Sequence, residues 1–232
     1  MLPRLSRLWE AALDLVFPRF CVGCGREGGF LCPDCLGLLS KINPPICPRC
    51  GVPKVVGAEC ADCANLKAID GIRSPFRFEG VIRGAIHQLK YNYIRDLAAP
   101  LGRLLYDFVV SNPIEGEVLV PVPIHSKRLK ERGYNQSALL AGELSKLSNL
   151  TLVEGSLIRV RHTPPQARTP SGAERFDNVD GAFKCLGNGL ERRKVVLVDD
   201  VSTSGSTLDA CAQALKTAGA TSVWGLTLAR EI

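Results

Sequence analysis

The chain predicts an α/β protein, a parallel sheet with crossover helices, preceded by a small cysteine-rich metal module. Three observations predict this. From about residue 67 onward, apolar runs of strand length alternate with helix-length amphipathic segments. Eight of the ten cysteines fall before residue 64, as four CxxC pairs. Residues 195–207, VVLVDDVSTSGST, read as a buried strand, two carboxylates, a hydroxyl- and glycine-rich turn and the start of a helix. With 232 residues the chain can hold one sizeable core plus a small module, and the boundary is expected between 1–66 and 67–232.

The net charge is +6, from 29 basic and 23 acidic side chains. Residues 1–64 carry seven basic and six acidic groups, so the remaining +5 lies in the larger domain. This mild excess admits phosphates or nucleic acid as partners and establishes neither. No segment has the roughly 18 apolar residues of a bilayer span. Arg4, Arg7, Glu10 and Asp14 interrupt the apolar run a signal peptide needs. A cytoplasmic location is therefore expected. Leu5, Leu8, Ala12 and Leu15 recur at helical spacing and predict a short amphipathic helix, packed on its own domain in preference to a membrane.

In that compartment CxxC pairs read as metal ligands and not disulfides. Cys21/Cys24 precedes Cys32/Cys35 with seven intervening residues, and Cys47/Cys50 precedes Cys60/Cys63 with nine. A glycine follows Cys24 and Cys50, letting backbone amides turn toward the thiolates. Four thiolates fill one tetrahedral zinc and leave no open position, which marks a structural site. Two sites assigned in sequence order are expected; interleaved pairing and iron–sulfur binding are the alternatives. Residues 21–63 are poor in large apolar side chains and rich in Pro and Gly, so metal binding, on the order of 10 kcal/mol per site, supplies the missing folding free energy. The near-neutral charge favours a docking or structural module over a nucleic-acid grip. Cys211 shares a helical face with Leu208, Ala212 and Leu215 and reads as core, and Cys185 is isolated.

In the larger domain, strands are expected at 74–79, 118–122, 157–161, 195–199 and 223–228, and helices at 81–91, 96–110, 134–147 and 206–218. Leu140, Leu144 and Leu147 mark one side of the third helix. Asp199 and Asp200 sit at the carboxyl end of their strand, where open α/β sheets bind ligands. The helix after them directs its positive terminus to the same place. Two acids beside a phosphate cradle point to a ribose 5-phosphate. Neither GxxxxGK[ST] nor GxGxxG occurs, which disfavours a P-loop NTPase or a dinucleotide-binding fold.

Three further polar segments fall where ligand loops belong. Residues 121–136 follow a strand and carry Lys127, Arg128, Lys130 and Arg132; Lys127 and Arg128 are the first candidates for contact with an anion, then Arg132 and Asn135. Residues 161–178 resemble a mobile lid, with Arg161, His162, Gln166, Arg175 and Asn178 as candidates or simply as solvated loop. His87 to Tyr91 is a weaker candidate.

Residues 195–207 resemble the phosphoribosyl-pyrophosphate (PRPP) signature of type I phosphoribosyltransferases. That resemblance implies that Asp199 and Asp200 hold ribose hydroxyls, and that Val201, Ser202, Thr203, Ser204, Gly205, Ser206 and Thr207 wrap the 5-phosphate. It also implies magnesium bound with PRPP, a cationic pyrophosphate contact from Lys127 or Arg128, and a hood over the acceptor at His87 to Tyr91. The double CxxC module, VPVPIHSKRLKERGYNQ, the TPPQ lid ending RFDNVDGAF and VDDVSTSG together resemble the ComF family over nearly the whole chain. The resemblance implies a phosphoribosyltransferase-type α/β domain with an N-terminal double zinc ribbon. It further implies a bacterial cytoplasmic role in natural competence and the handling of incoming single-stranded DNA, alongside other DNA-uptake proteins. A non-catalytic PRPP sensor or DNA-binding accessory protein, and a nucleobase-salvage enzyme, are the alternatives.

Overall fold

The computed structural model describes residues 18–55, 60–161, 179 and 181–232. The amphipathic helix expected near the N-terminus and the lid candidates His162, Gln166, Arg175 and Asn178 lie outside the described residues. The described helices are α1 (Pro33–Gly37), α2 (Gly80–Tyr91), α3 (Ala98–Ser111), α4 (Ser126–Arg132), α5 (Gln136–Leu147) and α6 (Ser206–Thr217). The strands are β1 (Gly71–Arg73), β2 (Phe76–Arg77), β3 (Val118–Pro121), β4 (Thr151–Leu152), β5 (Leu157–Arg159), β6 (Phe183–Cys185), β7 (Lys194–Ser202) and β8 (Ser222–Arg230).

The main sheet is parallel, in the order β1-β8-β7-β3-β4, with β2 also pairing β8. Each strand joins its neighbour through a crossover, as the alternating pattern requires. The alternation along β7 explains the two-sided core. Val195 and Leu197 join Leu208, Ala212 and Leu215 of α6 on one face. Val196 and Val198 join Ile82 and Ile86 of α2, Leu101 of α3 and Leu140 of α5 on the other. Cys211 is fully buried in the first cluster, as its helical spacing predicts.

Three expectations need correction. The strand expected at 74–79 is reduced to β2, and β1 lies before it, because Pro75 has no amide to donate and Ser74 turns its hydroxyl into the core to meet Thr227 Oγ1 at 2.6 Å. The strand expected at 157–161 stays out of the main sheet and pairs antiparallel with β6, Leu157 opposite Cys185 and Arg159 opposite Phe183. Apolar pattern alone cannot name a strand's partner. The loop expected after β3 contains α4; its sequence SKRLKER is made largely of helix formers, and Gly133 at φ 75° ends it.

One carboxylate pins the stretch where the module meets the sheet. Asp209, on α6 and nearly buried, accepts hydrogen bonds from the amides of Lys67, Ala68 and Ile69 at 2.9, 2.8 and 2.9 Å. Gly205, at φ +81°, is the N-cap of the same helix, and a Cβ there would stand 2.8 Å from Ile72 Cδ1 and 3.1 Å from Leu66 Cδ2. The turn before α6 therefore needs glycine for conformation and for space. Asp209→Ala leaves buried amides without their acceptor, so urea unfolding should show a loss of about 3 kcal/mol; a loss under about 1 kcal/mol refutes this role for the carboxylate.

Candidate ligand site and metal centres

Each set of four cysteines converges. In Cys21/Cys24/Cys32/Cys35 and in Cys47/Cys50/Cys60/Cys63 all the sulfurs lie within 4.8 Å of one another. The Sγ–Sγ distances are 3.7 Å for Cys24–Cys32, 3.9 Å for Cys47–Cys63 and 3.4 Å for Cys50–Cys60. A tetrahedron with metal–sulfur bonds near 2.3 Å has edges of about 3.8 Å, so the donor sets fit zinc in sequence-order pairing. The knuckle glycines act as expected: Gly25 and Gly51 adopt φ 74° and 75° and donate their amides back to Cys21 and Cys47 carbonyls. Burial pushes the Cys21 thiol up, but the amides of Cys32, Cys24 and Gly23 aimed at its sulfur outweigh this and bring it down to about 6. Cys47 is likewise brought down to about 6 against burial, by the amides of Cys50 and Arg49. Amides that favour thiolate favour metal ligation.

At the ligand end of the sheet, β3 and β7 lie side by side, with Pro121 opposite Val198. The register sets the segment after β3 against Asp199 and Asp200. Successive side chains on a strand diverge, and the acid pair is divided accordingly. Asp199 Oδ1 accepts from the Ser137 hydroxyl at 2.7 Å and from the Asp200 amide at 2.9 Å. Burial, then the neighbouring charge of Asp200, pushes Asp199 up to about 7. Asp200 turns inward and pairs with Lys90 of α2, Nζ to Oδ1 2.9 Å, with side chains 4% and 22% exposed. Burial opposes the charge on Lys90, but Asp200 outweighs it and holds the amine above its ordinary range. Asp200 Oδ2 has no hydrogen-bond partner among the described residues, so the pair keeps an unfilled acceptor of the kind a hydroxyl or cation requires.

The cradle residues are divided between ligand side and core. Val201 packs against the α2–α3–α5 cluster, and Ser202 is buried with its hydroxyl toward Arg230. Thr203, Ser204 and Thr207 are partly exposed around Gly205. The Ser204 hydroxyl accepts from the Ser206 amide at 3.4 Å and donates to its hydroxyl at 3.1 Å, which shapes the turn ahead of α6. Lys127 is exposed on α4, while Arg128 is partly buried and faces Arg159 of β5. Burial lowers the Arg159 guanidinium and the nearby Arg128 lowers it further, whereas Asp199 acts in the other direction. Two neighbouring guanidinium groups, with Arg159 within reach of the Asp199 charge, form a place where an anion relieves repulsion.

Other candidates have structural employment. Asn135 caps α5 through its Oδ1 and donates Nδ2 to the Val122 carbonyl. Arg132 bonds Gln136 and lies 5.6 Å from the Tyr91 ring centroid. His87 is on the surface, 4.7 Å from Tyr91 between ring centroids, and Arg161 is exposed. Cys185 is partly buried on β6. Sequence reasoning missed Lys90, Ser137 and Arg159. For Lys90 a signal existed: with Ile82 and Ile86 it falls at i, i+4 and i+8, a cation on an apolar stripe.

Two four-cysteine knuckles built against a parallel sheet, with an acid pair and a glycine turn at its carboxyl edge, define a zinc-ribbon protein of the phosphoribosyltransferase fold. Family models agree: a double zinc ribbon domain matches residues 12–64 and a phosphoribosyl transferase domain matches residues 137–231. The chain is 31% identical over 213 residues to competence protein ComFC of Bacillus subtilis, covering 87% of this chain and 84% of that one. It is 31% identical over 200 residues to the DNA utilization protein YhgH of Salmonella typhimurium, covering 81% and 85%. Among solved structures, it is similar to a glutamine PRPP amidotransferase from Bacillus subtilis at 22% identity, over 56% of this chain and 26% of that one, with a TM-score of 0.39. The chain belongs to the ComF family. Among the described residues, no helix is long and apolar enough to cross a membrane.

Replacing Lys90 by Met strands the buried Asp200 carboxylate, so a loss of about 3–5 kcal/mol in denaturant unfolding is expected at pH 7. The double variant Lys90→Met/Asp200→Leu should recover most of it; an unchanged single-variant midpoint would sink the pairing argument.

Proposed function

We propose that the chain binds PRPP at the carboxyl edge of β3 and β7 and acts, in the cytoplasm, in the uptake and use of DNA. The observation that carries the ligand reading is the adjacency of the two strand ends: β7 presents Asp199 and the Gly205 turn, and β3 leads into Arg128 beside Arg159. One ligand with a phosphorylated ribose and a pyrophosphate matches both halves. Asp199, oriented by Ser137, takes the ribose hydroxyls. Asp200, fixed by Lys90, keeps the Asp199 backbone in place. Thr203 to Thr207 surround the 5-phosphate at the start of a twelve-residue helix. Arg128 and Arg159, with the exposed Lys127, face the pyrophosphate.

Magnesium, when bound with the ligand, would neutralise pyrophosphate charge while keeping several of its waters. If pyrophosphate departs, positive charge develops on the sugar ring, and the ionised Asp199 stands where it steadies that charge. Holding both ends of the ligand supplies the positioning. No covalent nucleophile is needed. The names of the relatives, competence protein and DNA utilization protein, support the wider role.

Calorimetry with magnesium and PRPP tests the ligand. Asp199→Ala is the cleaner variant, since Asp200→Ala and the double variant also strip Lys90 of its partner. Wild type should bind, with at least about tenfold weaker affinity in Asp199→Ala; absent heat, or equal affinity in the variant, overturns the assignment. Asp199 is pushed up to about 7, so its charged form is gained as pH rises. Affinity should therefore climb about tenfold from pH 6 to pH 8, and Asp199→Asn should flatten that climb.

A second reading is favoured by one surface. Tyr91 and Tyr93 are each 58% exposed, and His87 and Arg132 lie beside the Tyr91 ring. Aromatic faces interleaved with cations next to α4 suit a single strand of nucleic acid. Tyr91→Ala/Tyr93→Ala should weaken oligo-dT binding about tenfold or more, with a steep salt dependence in wild type. Unchanged binding, or none in wild type, removes this reading.

A further inference from the structure

Arg230 closes β8, yet it is only 1% exposed, the largest fully buried side chain among the described residues. Burying a guanidinium costs several kcal/mol unless its donors are used. Here Nη1 donates to the Cys50 carbonyl at 2.8 Å and to the Ser202 hydroxyl at 3.3 Å. Cys50 is a ligand of the second four-cysteine set, and Ser202 is the last residue of β7 before the phosphate turn. An apolar side chain would fill the space; the guanidinium nitrogen also ties the Cys50 backbone carbonyl to the Ser202 side chain.

Other contacts run along the same seam. The Ile72 amide donates to the Arg49 carbonyl at 2.7 Å, and Arg73 Nη2 donates to the Pro48 carbonyl at 2.8 Å. Both acceptors lie between Cys47 and Cys50. Ile72 in turn is what a Cβ on Gly205 would strike, and Cys47 and Cys50 belong to the same apolar cluster as Ile72 and Leu208. The first set is placed differently: Cys24 is exposed, and Val22 and Leu36 pack into the opposite cluster, under α2 and α3.

We infer that Arg230 is a positioning residue that couples the second metal site to the phosphate turn, so that the turn is ordered only when Cys47, Cys50, Cys60 and Cys63 are held by metal, whereas the first site has no such influence. Without metal the four thiols have nothing to close their loop, the knuckle loosens, and the Cys50 carbonyl leaves Arg230. A buried guanidinium short of an acceptor then draws Ser202 and the turn out of place. The coupling itself stands on the contacts; what the turn holds rests on the PRPP reading.

The test uses the full-length protein with two readouts beside each other: zinc per chain by elemental analysis, and amide exchange of residues 203–208. Cys60→Ser should lower zinc to about one per chain and speed exchange in the turn at least tenfold. Cys24→Ser should also lower zinc to about one but leave the turn within twofold. Arg230→Met should keep about two zinc per chain, speed exchange in the turn tenfold and weaken magnesium–PRPP binding by a similar factor, with partial rescue in Arg230→Lys. If Arg230→Met does not fold, Ser202→Ala removes the turn-side contact alone and should speed exchange in the turn at least threefold. A native exchange pattern in Cys60→Ser, in folded Arg230→Met or, failing that, in Ser202→Ala overturns the inference. An equal effect of Cys24→Ser also overturns it. Because exchange is read without ligand, a wild type that binds no PRPP refutes the ligand assignment while the coupling is still decided.

Discussion

Three successive amides converge on one buried carboxylate, Asp209, and the rest of the molecule depends on that convergence. Lys67 to Ile69 is where the metal module gives way to the sheet, and Asp209 is in the first turn of the helix that follows the Gly205 turn. A carboxylate accepting several backbone donors is among the stronger polar interactions available in an interior. It fixes the start of α6 against Leu66 and Ile72, and so forces glycine at 205. The Gly205 turn is thus shaped from the side of the module, not only from the strand before it.

The acid pair follows the same pattern of local motif and distant constraint. Asp199 and Asp200 are neighbours in the chain but have different surroundings. One is positioned by a hydroxyl from α5 and held toward its protonated form by burial; the other is held by an amine from α2. The Tyr134 hydroxyl donates to the Leu89 carbonyl, which ties the end of α2, and with it Lys90, to the segment that follows α4. A pair that looks alike in the chain is one group held by a hydroxyl and one group paired with an amine.

The metal knuckles, alike in sequence, are also unlike in role. The second is part of the core: Cys50 is fully buried, and its carbonyl takes a donor from the last residue of β8. The first is set on the opposite face with an exposed Cys24. A small module with little apolar surface can be rigid where metal holds it and still be integrated where a larger domain lends its core.

The sequence by itself determined what lies within a short stretch of chain. The knuckle spacings, the strand–acid–turn–helix of residues 195–207 and the helices over α2, α3, α5 and α6 are local patterns, and each was legible because period, spacing and residue chemistry coincide there. The tertiary structure decided what depends on partners far apart in the chain. Asp209 meets an amide 142 residues away and Arg230 a carbonyl 180 residues away. Lys90 reaching Asp200, Ser137 reaching Asp199, Arg159 facing Arg128, and β5 leaving the main sheet to pair with β6 are of the same kind. Local propensity carries no information about which strand, helix or loop will stand opposite; only burial, which closes the chain on itself and requires every enclosed charge to find a partner, settles that.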